Sequence, residues 1–307
     1  MAPISVLVHG LGNIGRCVIQ SVETAPDMEC LGVVRTPSSV GSKTLDLRGV
    51  QDFDSLESLI KAKGKPQVAI ICGPSRLVPE DAERYLKAGL NTVDSFDIHD
   101  QVPALVEKLG RTAVEAGSAA ITAAGWDPGT DSVMRAIFEA MAPAGTTFTN
   151  FGRGRSMGHS VAARAIKGVA EATSITIPIG GGRHSRLVYV LPEAGAAKEE
   201  IKSLLASDDY FSHDPLDVRF VDSRAELEAV ADNSHGVLME RIGSSGQTSN
   251  QRLSFDMRID NPALTAQVLV SSARATTRLN PGSYTLIDVP PVALLPGDRM
   301  RHVARLV

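Results

Sequence analysis

The chain has few cysteines, no surplus of basic residues and no long apolar run, and each shortage excludes a class of protein. Its formal net charge is −4 and no long basic stretch occurs, so it lacks the electrostatic signature of nucleic-acid binding. No segment reaches the roughly 18 consecutive apolar residues of a membrane span. The N-terminal segment has neither the basic region nor the uninterrupted apolar core of a signal peptide. We therefore expect a cytoplasmic protein with no nucleic-acid partner and no membrane partner.

Cysteine is present only as Cys17, Cys30 and Cys72, an odd number, and each lies in an apolar helix or strand pattern. Such a pattern is typical of buried, reduced thiols in a reducing compartment. We expect neither a disulfide nor a metal site.

What is present is the composition of an ordinary globular protein, with 307 residues, 43% of them hydrophobic and 21% charged. This length is enough for two domains. The first third alternates short apolar strands with helices, predicted near 13–24, 54–62, 79–88 and 101–116. The strands are predicted at Ile4–Val8, Glu29–Val34, Gln67–Cys72, Asn91–Val93 and Ala119–Thr122. This alternation predicts a parallel, doubly wound α/β sheet of the Rossmann type.

The pattern changes after Gly125. Residues 251–259 alternate apolar and polar side chains, as in an antiparallel strand with one solvated face. Further strands are predicted at Val188–Leu191, Val218–Asp222 and Gly236–Ile242, with a hairpin turn at Ser244–Gly246. These elements predict a second, α+β domain with a mixed or antiparallel sheet.

The first of the two predicted domains is discontinuous in sequence. Asn261-Pro262 is typical of a helix N-cap and first helical residue, and that helix is predicted to run to about Leu279. We expect the proline-rich last 25 residues to pack on the first domain. The dinucleotide-binding domain is therefore predicted at 1–123 plus about 264–307. The substrate-binding and dimerisation domain is predicted at 124–263.

A glycine turn follows the first strand. Gly10 permits the tight turn, Gly12 leaves room for phosphates and Gly15 lets the helix approach the strand. The backbone of Asn13 and Ile14 opens the next helix, whose N-terminus attracts an anion. The motif predicts a bound dinucleotide, although a tight turn without a ligand would use the same glycines.

The residue after the second strand selects the dinucleotide. NAD-binding versions of this fold place an acid there, whereas this chain has Arg35 and Thr36. An arginine pairs with a 2′-phosphate, and the sequence shows no carboxylate beside it. This favours NADP over NAD. The alternative is a surface arginine with NAD bound less selectively.

Polar residues follow two neighbouring strands, at the sheet edge where ligands bind in this fold. Asp94 follows one strand, and Trp126-Asp127 follow the other. Carboxylates next to a nicotinamide would attract a cation, for which a substrate ammonium is the natural candidate. The alternative is that Asp94 and Asp127 cap turns and that Trp126 is a core residue.

Residues 151–160 contain three glycines, two arginines and a histidine. This composition suits a backbone loop that closes on an anion such as a carboxylate. A flexible basic loop is the alternative.

Five segments together are similar to the meso-diaminopimelate dehydrogenase family, most closely to its shorter, type II branch. They are Gly10–Gly15, Val93–His99, Gly125–Ser132, Ser156–Ser160 and Asn261–Gln267. The resemblance spans the whole chain, and the GWDPG and SMGHS segments are far more specific than the glycine turn. It implies NADP-dependent, reversible oxidative deamination at the D-centre of meso-2,6-diaminopimelate, giving L-2-amino-6-oxopimelate and ammonia in lysine biosynthesis. It also implies a homodimer and closure of two domains over the substrate.

The resemblance also implies roles for individual residues. Asp94 and Asp127 would bind the reacting ammonium, and Trp126 would line one side of the site. The proximal end of the substrate would contact Ser156, Met157 and Gly158. The distal L-centre would be bound by the remaining group, which consists of Phe151, Thr176, Arg186, His235 and Asn261. Without the resemblance, Thr176 is an ordinary strand residue, His235 a turn residue and Asn261 an N-cap.

The chain departs from the family pattern at Arg153 and Arg155, where the branch usually has a proline and an apolar residue, and after Arg35, where the family usually has a second basic residue. Two alternatives remain open, the first of them because of Arg153 and Arg155. One is a related dehydrogenase acting on another diamino acid or D-amino acid with NADP or NAD. The other is a non-catalytic NADP-binding regulator.

Overall fold

The computed structural model describes residues 2–36, 40, 49–180, 183–230 and 234–307. The chain divides into two compact units. The first unit comprises Met1–Val133 and Pro262–Val307, and the second comprises Met134–Asn261.

The first unit is built on a seven-stranded sheet in which every neighbouring pair is parallel. Numbered along the chain, its strands are β1 (Ile4–His9), β2 (Met28–Val34), β3 (Asp52–Phe53), β4 (Val68–Ile71), β5 (Asn91–Asp94), β6 (Ala119–Ile121) and β14 (Gly282–Tyr284). The spatial order is β14-β6-β5-β4-β1-β2-β3. The strand order reverses next to β1, which places the ligand crevice of such sheets at the carboxyl ends of β1 and β4.

Helices cover both faces of this sheet. They are α1 (Asn13–Thr24), α2 (Leu56–Lys63), α3 (Val78–Lys87), α4 (Val102–Ala116) and α9 (Asn261–Thr276). The first unit also contains α10 (Arg299–Leu306) and the start of α5 (Thr130–Met141), most of which belongs to the second unit. One buried core joins α1 and α9 to the sheet, through residues such as Val18 and Leu269. A second core joins α2, α3 and α4 to the opposite face, through residues such as Leu59 and Leu109. The prediction of a doubly wound parallel sheet is confirmed.

The five predicted strands and four predicted helices of the first third are all present, with ends that differ by at most two residues. The two-residue strand β3 and the three-residue strand β14 were not predicted. Each is too short to show an apolar period of its own, so only pairing with a neighbouring strand makes it a strand.

The second unit contains a mixed four-stranded sheet and an antiparallel three-stranded sheet. Its strands are β7 (Ala144–Phe151), β8 (Gly154–Ser156), β9 (Val169–Gly180), β10 (Arg183–Pro192), β11 (Leu216–Phe220), β12 (Ser234–Ser245) and β13 (Thr248–Asp260). Its helices are α6 (Met157–Arg164), α7 (Lys198–Ser207) and α8 (Arg224–Val230). The predicted α+β unit with a mixed or antiparallel sheet is confirmed.

Two of the alternative interpretations for this unit were wrong, and one predicted helix ends earlier than expected. Residues 151–160 are not a flexible loop, because they form the end of β7, all of β8 and the start of α6. His235 lies within β12 rather than in a turn. The predicted hairpin turn is confirmed at Gly246, which has a φ of +57° between β12 and β13, whereas Ser244 and Ser245 still belong to β12. The helix α9 includes Asn261 and ends at Thr276, three residues before the predicted end.

Cys17, Cys30 and Cys72 carry free thiols and are half-buried, less enclosed than the sequence suggested. Burial raises the pKa of the Cys30 thiol to about 11, so this group stays protonated at neutral pH. Among the described helices, none combines the length and the apolar character needed to cross a bilayer.

Candidate active site

The glycine turn after β1 has the geometry of a phosphate cradle. Gly10 has a φ of +90°, which only glycine adopts without strain. A Cβ at Gly15 would overlap the Gly10 carbonyl oxygen, whereas a Cβ at Gly12 would meet no atom of the described chain within 4 Å. Within the described structure no side chain caps the N-terminus of α1 at Gly12, and no acidic residue lies in its first turn. This turn therefore fits the pyrophosphate of a dinucleotide.

Arg35 and Thr36 follow β2, as expected, but a carboxylate lies beside Arg35. Arg35 Nη1 donates to Asp52 Oδ2 over 3.0 Å, and the two side chains are 10% and 16% exposed. The expectation that no acid lies next to this arginine was wrong. Asp52 is on β3, which pairs with β2 so that Asp52 lies opposite Val33, two residues before Arg35.

Asp94 is a fully buried carboxylate at the carboxyl end of β5. Its Oδ1 accepts three hydrogen bonds, from the Phe96 amide at 3.0 Å, the Thr122 hydroxyl at 2.8 Å and the Ala123 amide at 3.1 Å. Its Oδ2 has no hydrogen-bond partner within the described part of the chain. One oxygen therefore fixes the side chain, and the other is left to meet a ligand.

The surroundings of Asp94 also determine its charge. Burial raises its pKa to about 6, against the lowering effect of the hydrogen bonds from Phe96, Ala123 and Thr122. The carboxyl is therefore mostly ionised at neutral pH and is a stronger proton acceptor than an exposed aspartate. This balance suits a general base.

Trp126 and Asp127 lie on a tight loop that continues from β6. The Gly125 amide donates to the Pro128 carbonyl at 3.0 Å, and the Asp131 amide donates to the Trp126 carbonyl at 3.0 Å. Trp126 is 6% exposed, and Asp127 is half-buried. A Cβ at Gly125 would lie 3.8 Å from Ser95 Cβ. The loop therefore lies beside the turn that follows Asp94, at the same edge of the sheet.

A second polar group lies in the other unit, around Arg186 on β10. Arg186 Nε donates to Asp214 Oδ2 at 2.8 Å, and Nη1 donates to the Thr176 hydroxyl at 2.7 Å. Its Nη2 lies 2.7 Å from His184 Nε2. Asp214 and Thr176 thus orient the guanidinium, which has five N–H groups in total.

Two histidines of this unit have lowered pKa values. Burial, with the charge of Arg186, lowers the pKa of His184, whose Nε2 lies 2.7 Å from Arg186 Nη2 and 3.0 Å from Asp214 Oδ2. Burial lowers the pKa of His235 to about 4. Because the Gly236 amide donates to His235 Nδ1 at 2.8 Å, the His235 hydrogen is on Nε2, which is a donor.

Phe151 links these residues. Its ring makes edge contacts with His184 and His235, at centroid distances of 5.7 and 6.4 Å. The structure therefore brings four predicted residues of the distal group together: Phe151, Thr176, Arg186 and His235. It adds His184 and Asp214, and we call these six residues the arginine cluster.

The other predicted substrate residues of this unit make different contacts. Ser156 Oγ lies 2.8 Å from His159 Nδ1. Met157 and Gly158 form the first turn of α6. Asn261 Nδ2 donates to the Arg155 carbonyl over 3.0 Å, which ties α9 to β8.

Arg155 does not add charge to the arginine cluster. It pairs with Ile175, whereas Thr176 pairs with Gly154 on one side and Arg186 on the other. Because side chains alternate between the faces of a sheet, Arg155 lies on the face opposite Thr176 and Arg186. Burial and the charge of Arg164 lower the pKa of its guanidinium. Arg153 is exposed, between β7 and β8.

Sequence reasoning missed Asp52, Thr122, His184 and Asp214. Two of them had a usable local signal: Thr122 ends a predicted strand at the ligand edge, and His184 lies two residues before Arg186, on the same face of its strand. Asp52 and Asp214 had none, because they contact Arg35 and Arg186 from 17 and 28 residues away.

The fold and the glycine turn define a Rossmann-type dinucleotide-binding protein with a second α+β unit. Comparison with known proteins makes this class more specific. The family profile described as the diaminopimelic acid dehydrogenase C-terminal domain matches residues 125–182. The meso-diaminopimelate D-dehydrogenase of Bacteroides fragilis is 46% identical over 309 residues, covering 100% of both chains. The chain belongs to the meso-diaminopimelate D-dehydrogenase family.

Solved structures agree with this assignment. The diaminopimelate dehydrogenase of Corynebacterium glutamicum, in complex with diaminopimelate, superposes with a TM-score of 0.88 at 28% identity. An engineered D-amino acid dehydrogenase bound to NADP+ superposes with a TM-score of 0.89 at 27% identity. Both comparisons cover 100% of each chain.

Proposed function

We propose that the protein catalyses the reversible oxidative deamination of the D-centre of meso-2,6-diaminopimelate, giving L-2-amino-6-oxopimelate and ammonia for lysine biosynthesis. The observation that carries this proposal is Asp94, a buried carboxylate with a pKa raised to about 6 and an unbonded Oδ2. The names of full-length relatives support the substrate.

NADP is the proposed cofactor. The pyrophosphate would lie on the glycine turn of Gly10, Gly12 and Gly15, next to the amides of Asn13 and Ile14 at the start of α1. The ribose would lie at the end of β2, next to Arg35 and Thr36. When bound, the nicotinamide ring accepts a hydride from the substrate carbon. The NADP+-bound relative supports this choice over NAD.

Asp94 and Asp127 are the proposed ligands of the reacting amine. An amine must lose its ammonium proton before its carbon can give up a hydride, and the ionised Asp94 accepts that proton, directly or through water. Asp127 adds a second negative charge that stabilises the cationic form of the substrate. Trp126 is 6% exposed and excludes water from this edge.

The arginine cluster is the proposed ligand of the distal carboxylate. Arg186 supplies the charge, Thr176 and Asp214 keep its plane fixed, and His235 supplies a neutral donor at Nε2. Binding both ends of a diacid orients the D-centre and discriminates against the reversed substrate. Ser156, Met157, Gly158 and Asn261 are proposed contacts to the rest of the amino acid.

The deciding experiment is an absorbance assay of NADP+ reduction with meso-, LL- and DD-diaminopimelate and a panel of simple D-amino acids. We expect meso-diaminopimelate to be the preferred substrate. Preference for another amino acid would indicate a related dehydrogenase, and cofactor binding without any turnover would indicate a regulator.

Asp94→Asn tests the base within this assay, with Asp100→Asn as a control at an exposed acid six residues further on. The first variant is expected to lower kcat by about 10² to 10⁴, the usual contribution of a positioned base. The control is expected to retain kcat. A rate near wild type in Asp94→Asn contradicts the assignment.

A homodimer is also proposed, and the outer face of β7 and β12 supports it. Phe148, Leu238 and Ile242 are 42%, 39% and 46% exposed. Glu240, between the last two, pairs with Phe148, so the three side chains share one face. An apolar stripe of this kind is typical of a protein interface.

A further inference from the structure

The ion pair between Arg35 and Asp52 bears on which dinucleotide the protein accepts. We infer that Asp52 is a specificity-determining residue, which neutralises Arg35 and so weakens discrimination between NADP and NAD. This inference rests on the proposed function, because it concerns the cofactor of that same reaction.

The backbone holds the two side chains together. β3 pairs in parallel with β2, with Asp52 opposite Val33, and the Arg35 amide donates to the Phe53 carbonyl at 2.9 Å. Alternate residues of a strand share a face, so the side chains of Arg35 and Val33, and with them Asp52, point the same way. Both side chains are mostly buried, which keeps the 3.0 Å contact from being screened by water.

The negative charge of Asp52 reduces the advantage that Arg35 gives to NADP, which carries a 2′-phosphate, over NAD. An isolated arginine at the end of β2 would attract the 2′-phosphate of NADP and gain little from the 2′-hydroxyl of NAD. The carboxylate of Asp52 offsets the charge of Arg35 and repels the phosphate group. NAD-binding sheets offer a carboxylate to the 2′-hydroxyl at the end of β2, and Asp52 places one beside that end, on β3. Asp52 therefore narrows the preference for NADP over NAD.

A purely orienting role for Asp52 makes the opposite prediction. If the carboxylate did no more than hold Arg35 in position for the phosphate, its removal would weaken NADP binding. The sign of the change in preference separates the two roles.

The experiment is isothermal titration calorimetry of NADP+ and NAD+ with wild-type protein and with Asp52→Asn. Asparagine keeps an acceptor oxygen for Arg35 and removes only the charge. We expect the ratio of Kd for NAD+ to Kd for NADP+ to rise on the order of tenfold, the effect of one like charge a few ångströms away.

Asp54→Asn is the matched control, because Asp54 is exposed in the same segment and its Oδ1 accepts from Ser55 and Ser58 rather than from Arg35. This control is expected to leave the ratio within about twofold of wild type, since exposed charges interact weakly. Asp52→Ser, a second neutral variant, is expected to repeat the increase. Thermal melts identify folded variants.

The inference is overturned if Asp52→Asn lowers the ratio, leaves it unchanged, or weakens the binding of both dinucleotides equally. In each of these cases the proposed function stands, because the protein still binds its cofactor. If the wild-type protein binds neither dinucleotide, the proposed function falls together with the inference.

Discussion

The Thr122 hydroxyl donates a hydrogen bond of 2.8 Å to Asp94 Oδ1. This bond joins the residue that follows β6 to the last residue of β5. It also opposes the effect of burial on Asp94, because a bond to the charged form lowers the pKa of a carboxyl that desolvation raises. The acidity of the proposed base therefore depends on a neighbour 28 residues away.

Thr122→Val is expected to shift the pH dependence of the reaction. Loss of one hydrogen bond to the carboxylate raises the pKa of Asp94 above about 6, by roughly one unit, since a bond to a charged group contributes about 1.5 kcal/mol. The rising limb of log kcat/KM against pH should move up by the same amount. Thr122→Ser keeps the hydroxyl and should keep the midpoint. A lower rate with an unmoved midpoint would contradict this role.

Asp94→Asn is expected to change how stability depends on pH. The folded protein holds a proton on Asp94 up to a pKa of about 6, whereas the ordinary pKa of an aspartate, taken for the unfolded chain, is 3.8. Wild-type stability therefore falls as pH rises through this window, by about 3 kcal/mol when the shift is converted at 1.36 kcal/mol per unit. The asparagine variant lacks this pH-dependent change in the free energy of unfolding, because its amide does not titrate.

Urea denaturation across that pH window measures the effect. The free energy of unfolding of Asp94→Asn, relative to wild type, should increase by about 3 kcal/mol between pH 4 and pH 7. Asp100→Asn, at an exposed position, should show little of this change. A constant difference between Asp94→Asn and wild type at all pH values would exclude a raised pKa.

Arg186→Met is expected to separate binding of the distal carboxylate from the chemistry. Loss of a charged hydrogen-bond donor should raise KM for meso-diaminopimelate about a hundredfold, which corresponds to about 3 kcal/mol. Simple D-amino acids, which lack a distal carboxylate, should keep their kcat/KM. Arg183→Met is the control, since Arg183 is exposed on the same strand. Equal losses on both classes of substrate would argue against this assignment.

Leu238→Asp is expected to weaken the proposed homodimer. Leu238 is 39% exposed, and a charge there would be desolvated on association without a partner. Sedimentation velocity should show a larger monomer fraction than wild type at the same concentration. Ile179→Asp, at an apolar residue 46% exposed on β9, should sediment like wild type. A monomeric wild-type protein, or unchanged association of Leu238→Asp, would refute this interface.

Most of the first unit could be predicted from the sequence, since its elements are local. Each long strand is a continuous apolar run, and each helix shows its own period. The glycine turn could be predicted because it is also local: Gly10, Gly12 and Gly15 lie within six consecutive residues. Family resemblance, rather than periodicity, supplied Thr176, Arg186 and His235.

The tertiary structure decided what these residues contact. Asp52 forms an ion pair with Arg35, Thr122 lowers the pKa of Asp94, and Asp214 orients Arg186. All three effects come from contacts between distant segments of the chain. The alternation of β8 also assigned Arg155 to the face opposite the arginine cluster. The sequence by itself determined the backbone elements and the residue types at their ends. Charge state and orientation depend on burial and on neighbours, which only the folded chain brings within a few ångströms.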